Sequence, residues 1–201
     1  MTEGIFAHWP NRVTATRFFG SLGLFVLLSM PSMQGAFPPQ AKVLICFWLF
    51  LGIAATDFLD GWLARRGNQV TAFGRVADPF VDKVMVVGTM IFLAVMDWSR
   101  SWFPAWIVVV VLAREFLVTG IRGYVESLGL AFPADWFGKI KMVIQCIAIG
   151  IVLGLFSFDW PDALRELLYG AGHVFVWGTL IASVGSGVTY ALKTRRLLSD
   201  V

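Results

Sequence analysis

The chain has 201 residues, of which 58% are hydrophobic and 14% are charged, and its formal net charge is +3. Soluble domains carry about 25% charged residues, so this composition excludes an ordinary soluble protein and predicts an integral membrane protein. The small positive charge is typical of residues that flank membrane helices, and it gives no reason to expect a nucleic-acid partner. We expect one integral membrane domain over 1–201, with a short interfacial N-terminal segment at 1–12.

Hydropathy divides the chain into long apolar windows separated by short connections rich in proline, glycine and serine. A helix that rises 1.5 Å per residue needs about 20 residues to cross a bilayer. The windows therefore predict an all-α integral membrane fold with six transmembrane helices, near 13–30, 42–64, 74–96, 102–126, 137–156 and 168–192.

The basic residues predict how the helices are oriented, because cytoplasmic loops carry an excess of lysine and arginine. With the N-terminus inside, the outer side holds only Lys42, Arg100 and Arg165. The remaining flanking cations then lie on the cytoplasmic side: Arg12, Arg17, Arg65, Arg66, Arg75, Lys139, Lys141, Lys193, Arg195 and Arg196. Both termini are expected to face the cytoplasm.

Four aspartates lie at the predicted cytoplasmic ends of the second and third spans. Asp57 and Asp60 are three residues apart, and Asp78 and Asp82 are four apart, so each pair shares one face of its helix. An ionised carboxylate in or near hydrocarbon costs several kcal/mol unless it is paired, hydrated or bound to a cation. These residues therefore predict a polar cavity that holds a divalent metal and that faces the cytoplasm.

Carboxylate ligands with no histidine or cysteine beside them suit Mg²⁺ or Mn²⁺, which complete their coordination with water and phosphate oxygens. The expected ligand is a phosphate ester, which Arg65 could bind while Gly61 and Gly74 leave room for its approach. Two alternatives remain open. The glycines could serve only close helix packing, and the aspartates could form ion pairs with Arg65, Arg75 and Lys83.

The spacing D-x2-D-G-x2-A-R-x8-G-x3-D-x3-D runs unbroken from Asp57 to Asp82. It resembles the signature of the CDP-alcohol phosphotransferase family. The resemblance implies a six-helix membrane fold, a homodimer in the lipid bilayer and two divalent ions, Mg²⁺ or Mn²⁺, at the cytoplasmic face. It also implies a CDP-linked lipid whose CMP is displaced by an alcohol. Together with the orientation, it predicts a protein of the bacterial inner membrane.

The resemblance also assigns roles to residues. Asp57, Asp60 and Asp78 would bind metal, and Asp82 would take the proton from the acceptor hydroxyl and contact the second ion. The positions that match the donor site are Asn11, Thr14, Gly61, Ala64, Arg65 and Gly74. For Asn11 and Thr14 an equal alternative is that they cap the start of the first helix.

The acceptor site is predicted from the fourth and fifth spans. Arg114 and Arg122 are eight residues apart, about two helical turns, and with Lys139 they could bind the phosphate of a phosphorylated alcohol. Alternatively, Arg114 pairs with Glu115 or an aspartate, and Lys139 contacts lipid headgroups. The pattern A-R-E-x6-R followed by G-K-x-K-x3-Q resembles the family branch that uses glycerol 3-phosphate.

The predicted activity is transfer of the phosphatidyl group from CDP-diacylglycerol to sn-glycerol 3-phosphate, giving phosphatidylglycerol phosphate and CMP. The alternative within the family is another acceptor, such as inositol phosphate. The alternative from another class is a divalent-cation transporter, which would need a pathway to the outer face. The outer halves of the predicted spans contain no acidic residue along such a pathway.

Overall fold

The computed structural model describes residues 9–30, 39–67, 72–129 and 136–199. Within those ranges the side chains of 57–67 and a few others, including that of Lys139, lie outside the described part. The described chain is helical throughout, which confirms the all-α prediction, and each predicted span overlaps one helix. The helices are α1 (Trp9–Ser29), α2 (Pro39–Gly67), α3 (Ala72–Val95), α4 (Ala105–Ser127), α5 (Trp136–Ser157) and α6 (Asp162–Ser199).

The helices form a closed ring in the order α1, α2, α5, α6, α4, α3, and α3 also contacts α5 across the middle. The pairing of side chains gives their directions. Thr14 and Arg17 of α1 contact Asp78 and Asp82 of α3, so these two helices run in parallel. Gly20 and Leu28 of α1 contact Ile53 and Lys42 of α2, so α2 runs opposite to α1. Gly150 and Gly154 of α5 face Leu51 and Phe47 of α2, and Gly172 and Gly178 of α6 face Ile151 and Ile144 of α5, so α5 runs opposite to both. Trp106 and Arg114 of α4 contact Trp177 and Gly187 of α6, so these two helices run in parallel. Helices α1, α3 and α5 therefore run one way, and α2, α4 and α6 run the other way.

The buried side chains change character along the bundle. In α1 the buried face begins with Asn11, Thr14 and Arg17 and ends with Leu24 and Leu28, at helical spacing throughout. The same change occurs in α3, where two aspartates precede a run of buried methionine, valine and leucine. We call the end with the buried polar residues the polar end, and the rest the apolar half. The largest fully buried side chains of the apolar half are Leu24, Phe50, Met85, Met90, Leu93, Phe103, Ile107, Ile149 and Leu153.

The outer surface of the bundle is apolar. Phe116 of α4 is 70% exposed and Ile181 of α6 is 71% exposed, and many other large apolar side chains are exposed beside them. Such a surface is costly in water and is expected against lipid. In the described residues, two stretches are long and apolar enough to cross a membrane, Ile140–Ser157 and Asp162–Arg195, and the shorter Gln40–Thr56 is also apolar. Whether all six helices cross the bilayer stays a prediction.

One glycine of α6 allows close packing against the connection between α3 and α4 in the apolar half. A Cβ atom on Gly172 would lie 2.6 Å from Cζ3 of Trp102, a buried indole that stacks on His173. We expect Gly172→Ala to lower the free energy of unfolding by about 1–3 kcal/mol, because the rigid indole cannot move aside without strain. The matched control is Gly170→Ala in the same helix, where nothing lies within 4 Å. Thermal unfolding in detergent should show a lower Tm for the first variant, and equal values would contradict this packing.

Candidate active site at the polar end

Helix α1 supplies hydrogen-bond donors to the aspartates of α3. The Thr14 hydroxyl donates to a carboxylate oxygen of Asp78, and the Arg17 guanidinium forms an ion pair with Asp82. Asp78 and Asp82 lie one turn apart on α3, and Thr14 and Arg17 lie one turn apart on α1. Since the two helices run in parallel, each aspartate meets one of these partners. The contact therefore fixes both carboxylates on the face of α3 that meets α1.

The position of Thr14 decides one alternative from the sequence. Helix α1 begins at Trp9, so Thr14 lies in its second turn and is too far inside to cap the helix. Its side chain is buried and bonds to another helix, and the capping alternative is therefore wrong for this residue. Asn11, in the first turn, is also buried. The predicted contact of both residues with a nucleotide stays a prediction.

Arg17 is a site residue that the sequence reasoning missed. It was read as one of the cations that set the orientation of the chain, yet it is only 3% exposed and faces Asp82. The available signal was its spacing, since Asn11, Thr14 and Arg17 follow one another at three-residue intervals. A cation on the same helical face as two buried polar residues is expected to point inward.

The remaining residues of the aspartate motif belong to the ends of α2 and α3. Gly74 is buried in the first turns of α3. The rest of the motif lies in the C-terminal part of α2, which reaches the polar end. The side chains of these residues lie outside the described part: Asp57, Asp60, Gly61, Ala64 and Arg65. The described side chains alone contain no group of three potential metal ligands.

The two described aspartates fit a hard divalent cation. Each is an oxygen-only ligand with about four lone-pair positions, and among the described side chains Thr14 bonds one oxygen of Asp78 and Arg17 bonds one oxygen of Asp82. Such oxygen donors, without nitrogen or sulfur, are the set that Mg²⁺ and Mn²⁺ prefer.

A cavity of about 190 Å³ opens beside Asp82. It is bounded by α3, α4, α5 and α6, and it contains four cations and two carboxylates, so its net charge is positive. Such a cavity suits a ligand with more than one negative charge, as a phosphate monoester has near neutral pH. The lining residues with charged side chains are Asp82, Lys83, Arg114, Glu115, Arg122 and Lys141.

A buried ion cluster forms one wall of this cavity. Glu115 accepts a hydrogen bond from Arg114 Nη1 at 3.0 Å and also pairs with Lys141 of α5. The Arg114 guanidinium lies 5.7 Å from the centre of the Tyr190 ring. The alternative that Arg114 pairs with Glu115 is thus confirmed. It does not exclude ligand binding, because a guanidinium has five N–H donors and Arg114 still lines the cavity.

Arg122 lies about two turns beyond Arg114 along α4. It is about 12 Å from Arg114 by helical rise, its side chain is 45% exposed, and its Nε lies 3.5 Å from Glu126. Both arginines line the cavity, Arg114 at its floor and Arg122 at its mouth. The predicted third member, Lys139, follows Gly138 in the lining helix, but its side chain lies outside the described part.

Lys83 and Lys141 are further cavity residues that the sequence did not identify as such. Among the described side chains, Lys83 Nζ donates to Thr119 Oγ1 at 2.5 Å, whereas the ion-network alternative paired Lys83 with the aspartates. The sequence places Lys141 among the flanking cations and in the G-K-x-K-x3-Q pattern without predicting its partner, and the structure buries it against Glu115. Sequence spacing could not indicate this pair, because it depends on how α4 and α5 meet.

The fold and the cavity together define a helical, membrane-associated protein with a positively charged cavity at its polar end. The family model for CDP-alcohol phosphatidyltransferases matches residues 7–185. The chain belongs to this family.

Three relatives show how the similarity is distributed. Each carries the name CDP-diacylglycerol–glycerol-3-phosphate 3-phosphatidyltransferase. The Bacillus subtilis protein is 41% identical over 151 residues, which cover 72% of this chain and 70% of the relative. The Haemophilus influenzae protein is 32% identical over 165 residues, 79% of this chain and 87% of the relative. The Mycoplasma pneumoniae protein is 26% identical over 208 residues, 96% of this chain and 88% of the relative.

Proposed function

We propose that this protein transfers the phosphatidyl group of CDP-diacylglycerol to sn-glycerol 3-phosphate and releases CMP. The observation that carries the proposal is the cavity in which a carboxylate, Asp82, lies beside an excess of cations. A phosphorylated alcohol needs both features, a base for its hydroxyl and positive charge for its phosphate. The names of the relatives support the same pair of substrates.

Members of this family generally depend on a divalent metal. We assign its binding to Asp57, Asp60 and Asp78, with Asp82 contacting a second ion, and we propose Mg²⁺ or Mn²⁺. When bound, the metal neutralises the negative charge that develops on the departing phosphate. The bond from Thr14 orients Asp78 for this role, because it fixes one oxygen of the carboxylate.

Asp82 acts on the acceptor. As the acceptor oxygen attacks the phosphorus that carries diacylglycerol, the bond from that phosphorus to the oxygen of CMP breaks, and Asp82 receives the hydroxyl proton. The Arg17 ion pair fixes the position of this carboxylate at the edge of the cavity. The nucleotide end of the donor would lie against Gly74 and the α1 residues Asn11 and Thr14, together with Gly61, Ala64 and Arg65 of α2.

The proposed placement in the membrane follows from charge and surface. All six helices would cross the bilayer of a bacterial inner membrane, with the polar end in the cytoplasm, where the flanking cations and the soluble substrates are. We also propose a homodimer. The apolar outer surfaces of α4 and α6 suit either lipid or a second copy.

The direct test is CMP release by the purified protein. CDP-diacylglycerol in detergent micelles should give CMP and phosphatidylglycerol phosphate when Mg²⁺ or Mn²⁺ and glycerol 3-phosphate are present, and neither product after metal chelation. Glycerol and inositol 1-phosphate in place of glycerol 3-phosphate test the phosphate requirement and the alternative acceptor. Equal use of free glycerol would contradict the role of the cations, and preferred use of inositol 1-phosphate would replace the proposed acceptor.

The ion pair with Asp82 leads to a prediction for Arg17. Arg17→Met removes a charge-assisted bond worth about 1.5–3 kcal/mol, so we expect kcat to fall about 10- to 150-fold. Arg17→Lys should retain part of the activity. The control is Arg12→Met, an exposed arginine in the first turn of the same helix. Equal kcat values for the two methionine variants would show that Arg17 does not orient the base.

The different depths of the two arginines predict unequal effects on the acceptor. Arg114→Lys should raise the KM for glycerol 3-phosphate about 10- to 150-fold, because an ammonium cannot replace the fork of a buried guanidinium. Arg122→Lys should raise it less than about 5-fold, because the exposed side chain is screened by water. The KM for CDP-diacylglycerol should stay unchanged in both. A larger change in the donor KM would place these cations in the nucleotide site.

A further inference from the structure

The floor of the cavity contains an amide that no role described above uses. Gln145 lies one turn beyond Lys141 along α5, lines the cavity and is 3% exposed. Its Nε2 is buried and has no hydrogen-bond partner among the described residues, and the same holds for Nε of Arg114 across the cavity. Two buried donors without partners therefore border one enclosed space.

Buried donors without partners are unfavourable, and a ligand oxygen that reaches them removes that cost. The charged members of the wall suit the phosphate, and Asp82 suits the reacting hydroxyl. A neutral amide is different, since it offers both a donor and an acceptor and matches a neutral hydroxyl group better than a dianion. Glycerol 3-phosphate has one such group that neither reacts nor carries charge, the hydroxyl on its middle carbon.

We propose that Gln145 is a specificity-determining residue that hydrogen-bonds the middle hydroxyl of the acceptor. The proposal rests on the proposed function, since it concerns the same acceptor. The acceptor would then be held at three points. Its reacting hydroxyl lies at Asp82, its phosphate lies at the cations that include Arg114, and its middle hydroxyl lies at Gln145. Sites that bond a substrate hydroxyl discriminate strongly against analogues that lack it, because the protein groups are left unpaired.

The test compares two acceptors in two proteins. 3-Hydroxypropyl phosphate keeps the reacting hydroxyl and the phosphate of glycerol 3-phosphate and lacks only the middle hydroxyl. In the wild type we expect its kcat/KM to be about 10- to 100-fold lower than that of glycerol 3-phosphate. In Gln145→Met, which keeps length and removes the amide, this ratio should fall to about 3 or less.

The ratio is measured within one preparation, so it does not depend on how much of a variant is folded. If Gln145→Met gives no activity, Gln145→Asn is measured instead, and its shorter amide should also lower the ratio. The control is Gln40→Met at an exposed glutamine near the opposite end of the bundle, 3.2 Å from Asp159, which should keep the wild-type ratio.

Two results would overturn the proposal. They are a wild type that uses both acceptors equally, and a Gln145 variant that retains the wild-type ratio. If such a variant lost activity equally toward both acceptors, Gln145 would belong to the phosphate site or to the packing of α5. In each case CMP release with glycerol 3-phosphate by the wild type would leave the proposed function standing. A wild type that releases no CMP with either acceptor would contradict the proposed function itself.

Discussion

Asp78→Asn is expected to abolish transfer, with kcat lowered by at least about 10³-fold, roughly 4 kcal/mol of transition-state stabilisation. The amide is isosteric and its oxygen can still accept the Thr14 hydrogen bond, so the α1 and α3 contact should persist. What it lacks is the charge that a hard dication requires. The measurement is CMP release as a function of Mg²⁺ and Mn²⁺ concentration. The same loss is expected for Asp57→Asn and Asp60→Asn.

A matched control comes from the opposite end of α3. Asp97 follows the end of this helix, its side chain is 93% exposed, and it pairs only with its neighbour Arg100 at 3.2 Å among the described residues. Asp97→Asn should keep wild-type turnover and metal dependence. Wild-type turnover in Asp78→Asn, or a similar loss in the control, would remove the metal assignment.

Asp82→Asn is expected to lower kcat by about 10²–10⁴-fold while leaving the donor bound. An amide cannot accept the acceptor's proton, but the donor site uses other residues, so the dissociation constant for CDP-diacylglycerol should change little. Equilibrium binding of the donor and a single-turnover rate at saturating glycerol 3-phosphate separate these two effects.

The opposite pattern would reassign the residue. If Asp82→Asn lost donor affinity while its rate per bound donor stayed intact, Asp82 would act chiefly as a metal ligand and some other group would take the proton. Loss of folding is checked by size exclusion in detergent, because Arg17 would then face a neutral amide in a buried position.

Those features that depend on one helix at a time could be predicted from the sequence. Hydropathy located the helices, since each apolar window overlaps one. Helical periodicity placed Asp78 and Asp82 on one face, and the structure presents that face to α1. The roles of the motif residues came from a resemblance, and they stay predictions for the side chains at 57–67.

Contacts between helices could not be predicted in the same way. Spacing within α4 indicates which residues share a face, but it does not reveal which helix that face meets. The Glu115 and Lys141 pair therefore emerged only from the packing of α4 against α5. The burial of each side chain could not be predicted from spacing either. Arg114 and Arg122 share a face, as predicted, yet their separation along the axis gives one a buried position and the other an exposed one.

The change from polar to apolar packing along the bundle has a consequence for the membrane that surrounds it. A hydrated, charged cavity that continued through a bilayer to the far side would let ions leak and would dissipate the electrochemical gradient. Here the cavity reaches Val86 and Val87, and beyond them Met90, Leu93 and Ile149 are fully buried. Closely packed apolar side chains of this kind leave no hydrated route for protons or metal ions along this part of the bundle. In the proposed orientation, the cavity would admit charged substrates from one side only, and the apolar half would keep the membrane insulating.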